Sequence, residues 1–465
     1  MKIENLFAEQ KAAVTNDWGT MDTLIKLWKV IYRGNPLWLE YEYATLKGST
    51  RKRIRKSMRP GKLVCHELAS LIWSEFPEIT ADQDIMRILK ESGFWTRSQQ
   101  FSERVMALGG GALKLYVKDG RILMDYIPAD RFVPVSWDNN GVYEADFIDR
   151  RVVEGKTYAR IESHRLVGGK LSIKNEAYLV EAGTAKKVSL SKMGLDKIKD
   201  IDTVSTEKPI FAYISNPEDN NLIPESPLGI SLFANAVDTI ESLDIAFDAL
   251  QSEIVLGRKR IIVPASSVRV VVDSETGQPH RYFDPADEVF QAFSTDDIKD
   301  LKISDNSVEL RVADIRMAIQ TLLDILSVQI GFSPGHLSFD GVSMKTATEV
   351  ISENSKTFKT KQTWEGAFGK AVLQIMESAR ALAELYEGYT TTNAEYSIHW
   401  NDSVIEDRNS KAKYWLDRYA AKTVQLHRVI MELDGLPEKE ARERAAEILS
   451  ENASVDASDL WGDIE

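Results

Sequence analysis

Residues 231–257 read SLFANAVDTIESLDIAFDALQSEIVLG, and the spacing of their apolar side chains decides how the rest of the chain is parsed. With Val237 left aside, Phe233, Ala236, Ile240, Leu243, Phe247, Leu250 and Ile254 follow one another at steps of 3, 4, 3, 4, 3 and 4. That is the seam of a packed helix. One helix over 231–256 would be about 39 Å long at 1.5 Å per residue, and Gly257 is a residue suited to end it. The carboxylates Asp238, Glu241, Asp244 and Asp248 share a second, broad face of the same helix.

Upstream, Asn216-Pro217 to Pro227-Leu228-Gly229 carries three prolines just before this helix, which forbids regular structure there and marks a domain boundary. Residues 1–108 read as mainly helical, with Trp28, Tyr32, Trp38, Tyr41, Tyr43, Trp73 and Trp95 as core or interface candidates. Gly109-Gly110-Gly111 breaks that pattern. Short apolar runs between turn signals then predict a twisted antiparallel sheet reaching about Val204.

Downstream, Ile261 to about Ile303 reads as a small β-rich insertion. Ile315, Ile319, Leu322, Leu326 and Ile330 predict a second helix. A loop follows from Gly331 through Gly341, and Thr346 with Glu349 has the capping-box spacing for a third helix running to about Glu387. The first half of that helix is polar, which argues against deep burial. Tyr396 to Trp400 reads as an isolated strand, and residues 407–450 as two helices around a Gly435/Pro437 turn.

The 465 residues include 58 Lys plus Arg against 71 Asp plus Glu, a formal net charge of −13, which disfavours adhesion of the whole surface to a polyanion. Apolar residues at 43% and charged residues at 28% suit a folded, core-forming chain. The lone Cys65 leaves no disulfide framework. No apolar stretch reaches the roughly 18 residues of a spanning helix, and the N-terminus lacks a secretion-signal pattern, so a soluble, cytosolic product with no membrane partner is expected.

Motifs for catalysis are weak. Gly331-Phe332-Ser333-Pro334-Gly335 fits the G-x-S-x-G string of an esterase nucleophile elbow, but a helix precedes it and Pro334 follows the serine, against the strand-to-helix context the elbow needs. A hydrolase using Ser333 is kept as the rival reading. Gly109-Gly110-Gly111 lacks dinucleotide-binding spacing, no phosphate-binding P-loop occurs, and the six histidines are scattered. No catalytic residue, metal or cofactor is expected.

Arg51, Lys52, Arg53, Arg55, Lys56 and Arg59 crowd six basic side chains into nine residues. The plain reading is a solvated surface; the functional one is a contact patch for nucleic-acid phosphate or an acidic protein. For the acidic stripe the plain reading is likewise a water-facing side. The functional one packs the apolar seam Phe233, Ile240, Leu243, Phe247, Leu250 and Ile254 between copies, with Asp238, Glu241, Asp244 and Asp248 facing a shared lumen. A helical assembly scaffold with no pore is the second rival.

Several strings, taken in order along nearly the whole chain, resemble the portal proteins of tailed bacteriophages, in particular those of long-tailed phages of Gram-positive hosts. They are Tyr32-Arg33-Gly34 with Trp38, Pro227-Leu228-Gly229-Ile230-Ser231 opening the long helix, Gly257-Arg258-Lys259-Arg260 closing it, Thr346-Ala347-Thr348-Glu349-Val350, and Trp400-Asn401-Asp402 to Asp407. The resemblance implies a non-enzymatic ring, typically of twelve subunits, at one vertex of the virion, assembled in the bacterial cytoplasm. Double-stranded DNA would pass through it in packaging and ejection. Implied partners are the terminase large subunit, the major capsid and scaffolding proteins, and a head-completion adaptor.

The implied fold is a discontinuous α+β portal plan. It has a wing over 1–230 rejoined by 388–404, stem helices over 231–257 and 306–330, a clip over 258–305, a tunnel loop over 331–346, a long helix over 347–387 and a crown over 405–465. Phosphates lie every ~1.7 Å of duplex axis, so an acidic wall would keep DNA from sticking. His336, Lys345, Lys356 and Lys359 are candidate loop contacts to DNA.

Overall fold

A computed structural model describes residues 17–44, 50–181, 184–257, 261–262, 269–272, 279–282, 304–305, 310–338, 355–386, 395–400, 408–436 and 438–459. Helices and antiparallel strands are segregated along the chain, an α+β arrangement. The N-terminal helices are α1 (Asp17–Tyr32), α2 (Pro60–Trp73), α3 (Gln83–Glu91) and α4 (Phe94–Leu108). Between α1 and α2 lies a hairpin, β1 (Glu40–Ala44) and β2 (Thr50–Ile54), joined with β3 (Glu78–Thr80) as the strands of this region. The basic run therefore starts on a strand, where its alternating neighbours point to opposite faces.

β4 (Gly110–Lys118), β5 (Arg121–Pro128) and β12 (Phe211–Ser215) form a three-stranded sheet in the order β12-β4-β5. β6 (Phe132–Asp138), β7 (Gly141–Val153), β8 (Lys156–Val167), β9 (Lys170–Glu181) and β10 (Thr184–Val188) form a consecutive meander, and β11 (Ile201–Val204) also pairs with β9. The alternation seen in the sequence from 110 to 204 is thus one antiparallel sheet plus two strands of a second.

Helix α5 (Val237–Leu256) follows a 3-10 turn at Ala234–Ala236, and α6 (Val312–Gln329) returns beside it. Between them, the described pieces are β13 (Ile261–Ile262) paired with β16 (Ser304–Asp305), and β14 (Arg269–Val272) paired with β15 (Pro279–Tyr282). Helix α7 (Ser355–Ala383) buries Trp364, Phe368, Ala371, Val372, Ile375, Met376, Ala379 and Leu382. Their 3–4 spacing makes one apolar face. It lies against β12 and β4 on one side and α2 on the other.

β17 (Ser397–His399) pairs antiparallel with β3, which brings the chain back to the N-terminal region. Trp73 sits at that junction, with ring centroids 5.7 Å from Phe94, 6.1 Å from Phe368 and 5.3 Å from Trp400. One continuous core runs from Met21 to Ala383. Helices α8 (Arg408–Ala420), α9 (Leu426–Asp434) and α10 (Glu438–Asp459) end the described chain, with a small separate core at Ile430, Ala441 and Ala445. Among the described residues no helix is long and apolar enough to cross a membrane.

Candidate functional site: the helical stem and the root of its loop

Helices α5 and α6 form an antiparallel pair closed at one end by Glu253 and Arg311. The Arg311 amide and Nε donate to Glu253 Oε1 at 3.1 and 3.3 Å, and its Nη2 donates to Oε2 at 3.0 Å. This fork holds the Glu253 carboxyl below the usual carboxylate range. At the other end, α6 packs on the 3-10 turn that opens α5. The chain enters that turn through a close approach of two glycines. A Cβ on Gly109, whose φ is +83°, would lie 2.4 Å from the Gly229 carbonyl oxygen, and one on Gly229 would lie 2.5 Å from that of Gly109. Asn216 and Leu232 fasten the approach by donating their amides to the carbonyls of Gly109 and Met106. The Pro-rich segment and the glycine triplet, separate in sequence, form this single joint.

The acidic stripe divides. Asp238 is exposed and Glu241 half-buried, but Asp244 and Asp248 are buried, at 1% and 8% exposure. Hairpin β1–β2 and the segment after it cover them. Trp38 Nε1 donates to Asp244 at 3.0 Å and the Ser57 hydroxyl at 2.6 Å. Burial pushes the Asp244 carboxyl above its usual value, against the pull of these two donors and of the backbone at Met58. Arg53 lies 3.4 Å from Asp248, whose Oδ1 also accepts from the Lys56 amide at 3.0 Å. The expectation that all four acids face a lumen is corrected for Asp244, held by Trp38 and Ser57, and for Asp248, held by Arg53 and the Lys56 amide, all within their own subunit.

The basic run is correspondingly partitioned. Lys52 lies near Glu40 and Glu42, Arg55 donates to the Trp38 carbonyl and stacks on Tyr41, and Arg59 adopts a left-handed φ of 55° beside Gly34. Arg51 and Lys56 keep exposed side chains. The apolar seam divides too. Phe233, Ile240 and Leu243 are at most 1% exposed within the single chain, so they cannot form a contact between copies. Phe247 and Leu250 are half-buried and Ile254 is 46% exposed. The seam faces inward because α2 and α6 already cover the N-terminal half of α5.

The loop after α6 is anchored at Gly331, Ser333, Gly335 and Leu337. The Thr360 hydroxyl donates to the Gly331 carbonyl at 2.6 Å, and the Ser333 amide donates to Thr357 Oγ1 at 2.8 Å while the Thr357 amide donates to Ser333 Oγ at 3.4 Å. The Gly335 amide donates to Asp324 and Gln320 donates to the Leu337 carbonyl, both at 3.1 Å. His336 Nε2 lies 3.4 Å from Glu67 Oε1, and the imidazole holds the Glu67 carboxyl below its usual value.

Ser333 is thus a buried anchor, 1% exposed, with its hydroxyl turned to the start of α7. That geometry does not offer a nucleophile to a substrate. Thr357 and Lys361 are buried as well, which corrects the expectation that the polar start of the long helix stays out of the core. Thr357 is held by the loop and Lys361 by Glu365 at 3.1 Å. Lys356 donates to the Val328 carbonyl at 2.9 Å, and Lys359 is exposed. Lys345 and the capping pair Thr346 and Glu349 lie outside the described residues. The anchors Asp324, Gln320, Thr357 and Thr360 carry no sequence signal, since each is an ordinary polar residue on a helix.

A family profile described as phage portal protein, SPP1 Gp6-like, matches residues 62–453, from the first turn of α2 into α10. The chain belongs to the SPP1 Gp6-like phage portal protein family. Members of this family are structural and not enzymes, which disposes of the hydrolase reading that Ser333 had kept open. No curated protein matches the chain. Among solved structures, a chain of the virion of native gene transfer agent (GTA) particle matches with 13% identity and a TM-score of 0.40, covering 81% of this portal-family chain and 90% of the other. The assignment rests on the sequence profile.

Proposed function

We propose that this chain is the subunit of a phage portal ring at a capsid vertex, conducting double-stranded DNA during packaging and ejection. The observation that carries the reading is the family match across residues 62–453, which takes in the α5–α6 pair, its loop root and α7 together. In this reading α5 and α6 are the stem, the segment between them the clip, the chain after α6 the tunnel loop, and α8 to α10 the crown. Terminase, capsid and scaffolding proteins and a head-completion adaptor are its partners, in a long-tailed phage of a Gram-positive host. Residues 1–230 with 388–404 are the wing, and α7 is the long helix behind the loop.

The charge pattern supports conduction in a modified form. With Asp244 and Asp248 buried against Trp38, Arg53, Lys56 and Ser57 of their own subunit, weak adhesion to the duplex rests on the net −13 of each copy rather than on a four-acid stripe. Native mass spectrometry and negative-stain electron microscopy of the purified chain test the proposal. Closed annular oligomers with a central hole are expected. A monomer at every salt concentration, or an open fibre without a hole, would overturn it.

A further inference from the structure

The stem leaves two outward stripes uncovered. On α5, Asp238, Ser242, Ile245 and Ala249 are exposed at steps of 4, 3 and 4, and on α6, Met317, Thr321, Ile325 and Val328 at steps of 4, 4 and 3. Each set is one helix face. Exposure of Ile245, Met317, Ile325 and Val328 runs from 43% to 67%. Beyond Asp238 neither stripe carries a charge. The hydroxyl groups on both faces are already satisfied, because Ser242 donates to the Asp238 carbonyl and Thr321 to the Met317 carbonyl, each at 2.9 Å. Burying such a face leaves no polar group stranded.

Charge says what covers it. Asp238 and Glu241, at the N-terminal end of α5, make no ion pair among the described residues, and neither does exposed Lys359 near the start of α7. Lys356, one turn before Lys359, is bound at the C-terminal end of α6, at Val328. Because α5 and α6 are antiparallel, the acidic end of one stripe and the basic end of the other lie at the same end of the stem. Rotation about a ring axis preserves height. It therefore brings the acids of one copy level with the lysines of the next when the α5 stripe of the first meets the α6 stripe of the second.

We infer that a second copy of this chain docks here head to tail, the α5 stripe of one subunit against the α6 stripe of its neighbour, with Asp238 and Glu241 facing Lys359. The contact is heterologous, the kind that builds a ring when its rotation closes and never a two-fold dimer. It rests on the proposed portal reading and replaces the buried Phe233–Leu243 seam as the surface between copies. It also gives Asp238 and Glu241 a role other than lining a channel.

The test is reciprocal charge reversal in the full chain, read as the protein concentration at half-assembly by mass photometry, with thermal melts to verify folding. D238K/E241K and K359E should each raise that concentration about tenfold or more, because like charges then meet. The triple variant D238K/E241K/K359E should return to within about threefold of wild type, since opposite charges face each other again. I325D should weaken assembly in every background. Reversals without effect on half-assembly, or a triple variant no better than its parents, would overturn the contact. So would a K359E ring that assembles normally but retains less DNA, which would place Lys359 at the duplex. Absence of rings from the wild-type chain would instead overturn the portal reading, and this contact with it.

Discussion

Asp244 shows how a single buried carboxylate joins two parts of the chain distant in sequence. It accepts from Trp38 and Ser57, which flank hairpin β1–β2 in sequence, one turn before Asp248 takes Arg53 of the hairpin itself. Asp244→Ala leaves an indole N–H and a hydroxyl without partners, so stability should fall by about 2–3 kcal/mol, measured by urea denaturation. Glu162 is a buried acid set among Lys114, Arg160 and His164. Burial opposes its ionisation, yet Lys114, His164 and Arg160 outweigh burial and hold its carboxyl well below its ordinary value of 4.5. A depressed native pKa means that the unfolded chain binds the proton more readily. The stabilisation is therefore complete above pH 4.5 and lost as pH falls through the lower native value. His164 adds to the loss in the same direction, because burial lowers its pKa from 6.5 and acid must charge it in a sealed site. Glu162→Gln should cost about 3–5 kcal/mol at pH 7 and flatten the acid limb of the stability profile, followed by denaturation from pH 7 to pH 3.

At the scale of elements, the entry to α5 depends on two backbones that touch without side chains between them. Gly109 has a positive φ and faces the Gly229 carbonyl, so an alanine there meets both backbone strain and a backbone clash. Gly109→Ala should lower stability by about 2–4 kcal/mol. Gly335→Ala serves as the control, because it also has a positive φ but no atom within 4 Å of its would-be Cβ. It should cost only the strain, about 1 kcal/mol. Equal losses in thermal denaturation would show that the clash contributes nothing. Much of this scale was legible beforehand: the periodicity of α5 and α6, the meander from 110 to 204 and the break at the prolines all appear in local spacing. The hairpin β1–β2 did not, because Thr50-Arg51-Lys52-Arg53-Ile54 sets three basic residues in a row and gives β2 no alternating apolar face to count.

For the whole molecule, a chain with a formal net charge of −13 should not hold a duplex. Purified oligomer should leave a short linear DNA unshifted in a gel assay at 0.15 M salt, and lowering the salt should produce little retention. Tight binding with a steep salt slope would contradict this, since such a slope counts phosphate contacts.

The amino-acid order alone determined that α5 would have one apolar and one acidic face, that a basic run would precede α2, and that the chain would be α+β. Such patterns are local, and a helix or strand obeys them wherever it packs. The order could not say that the two charged runs would meet, that Phe233 to Leu243 would turn into their own subunit, or that Gly109 would touch Gly229. Those are contacts between segments distant in sequence. A face records that it must be covered or solvated; only the packed chain decides by what.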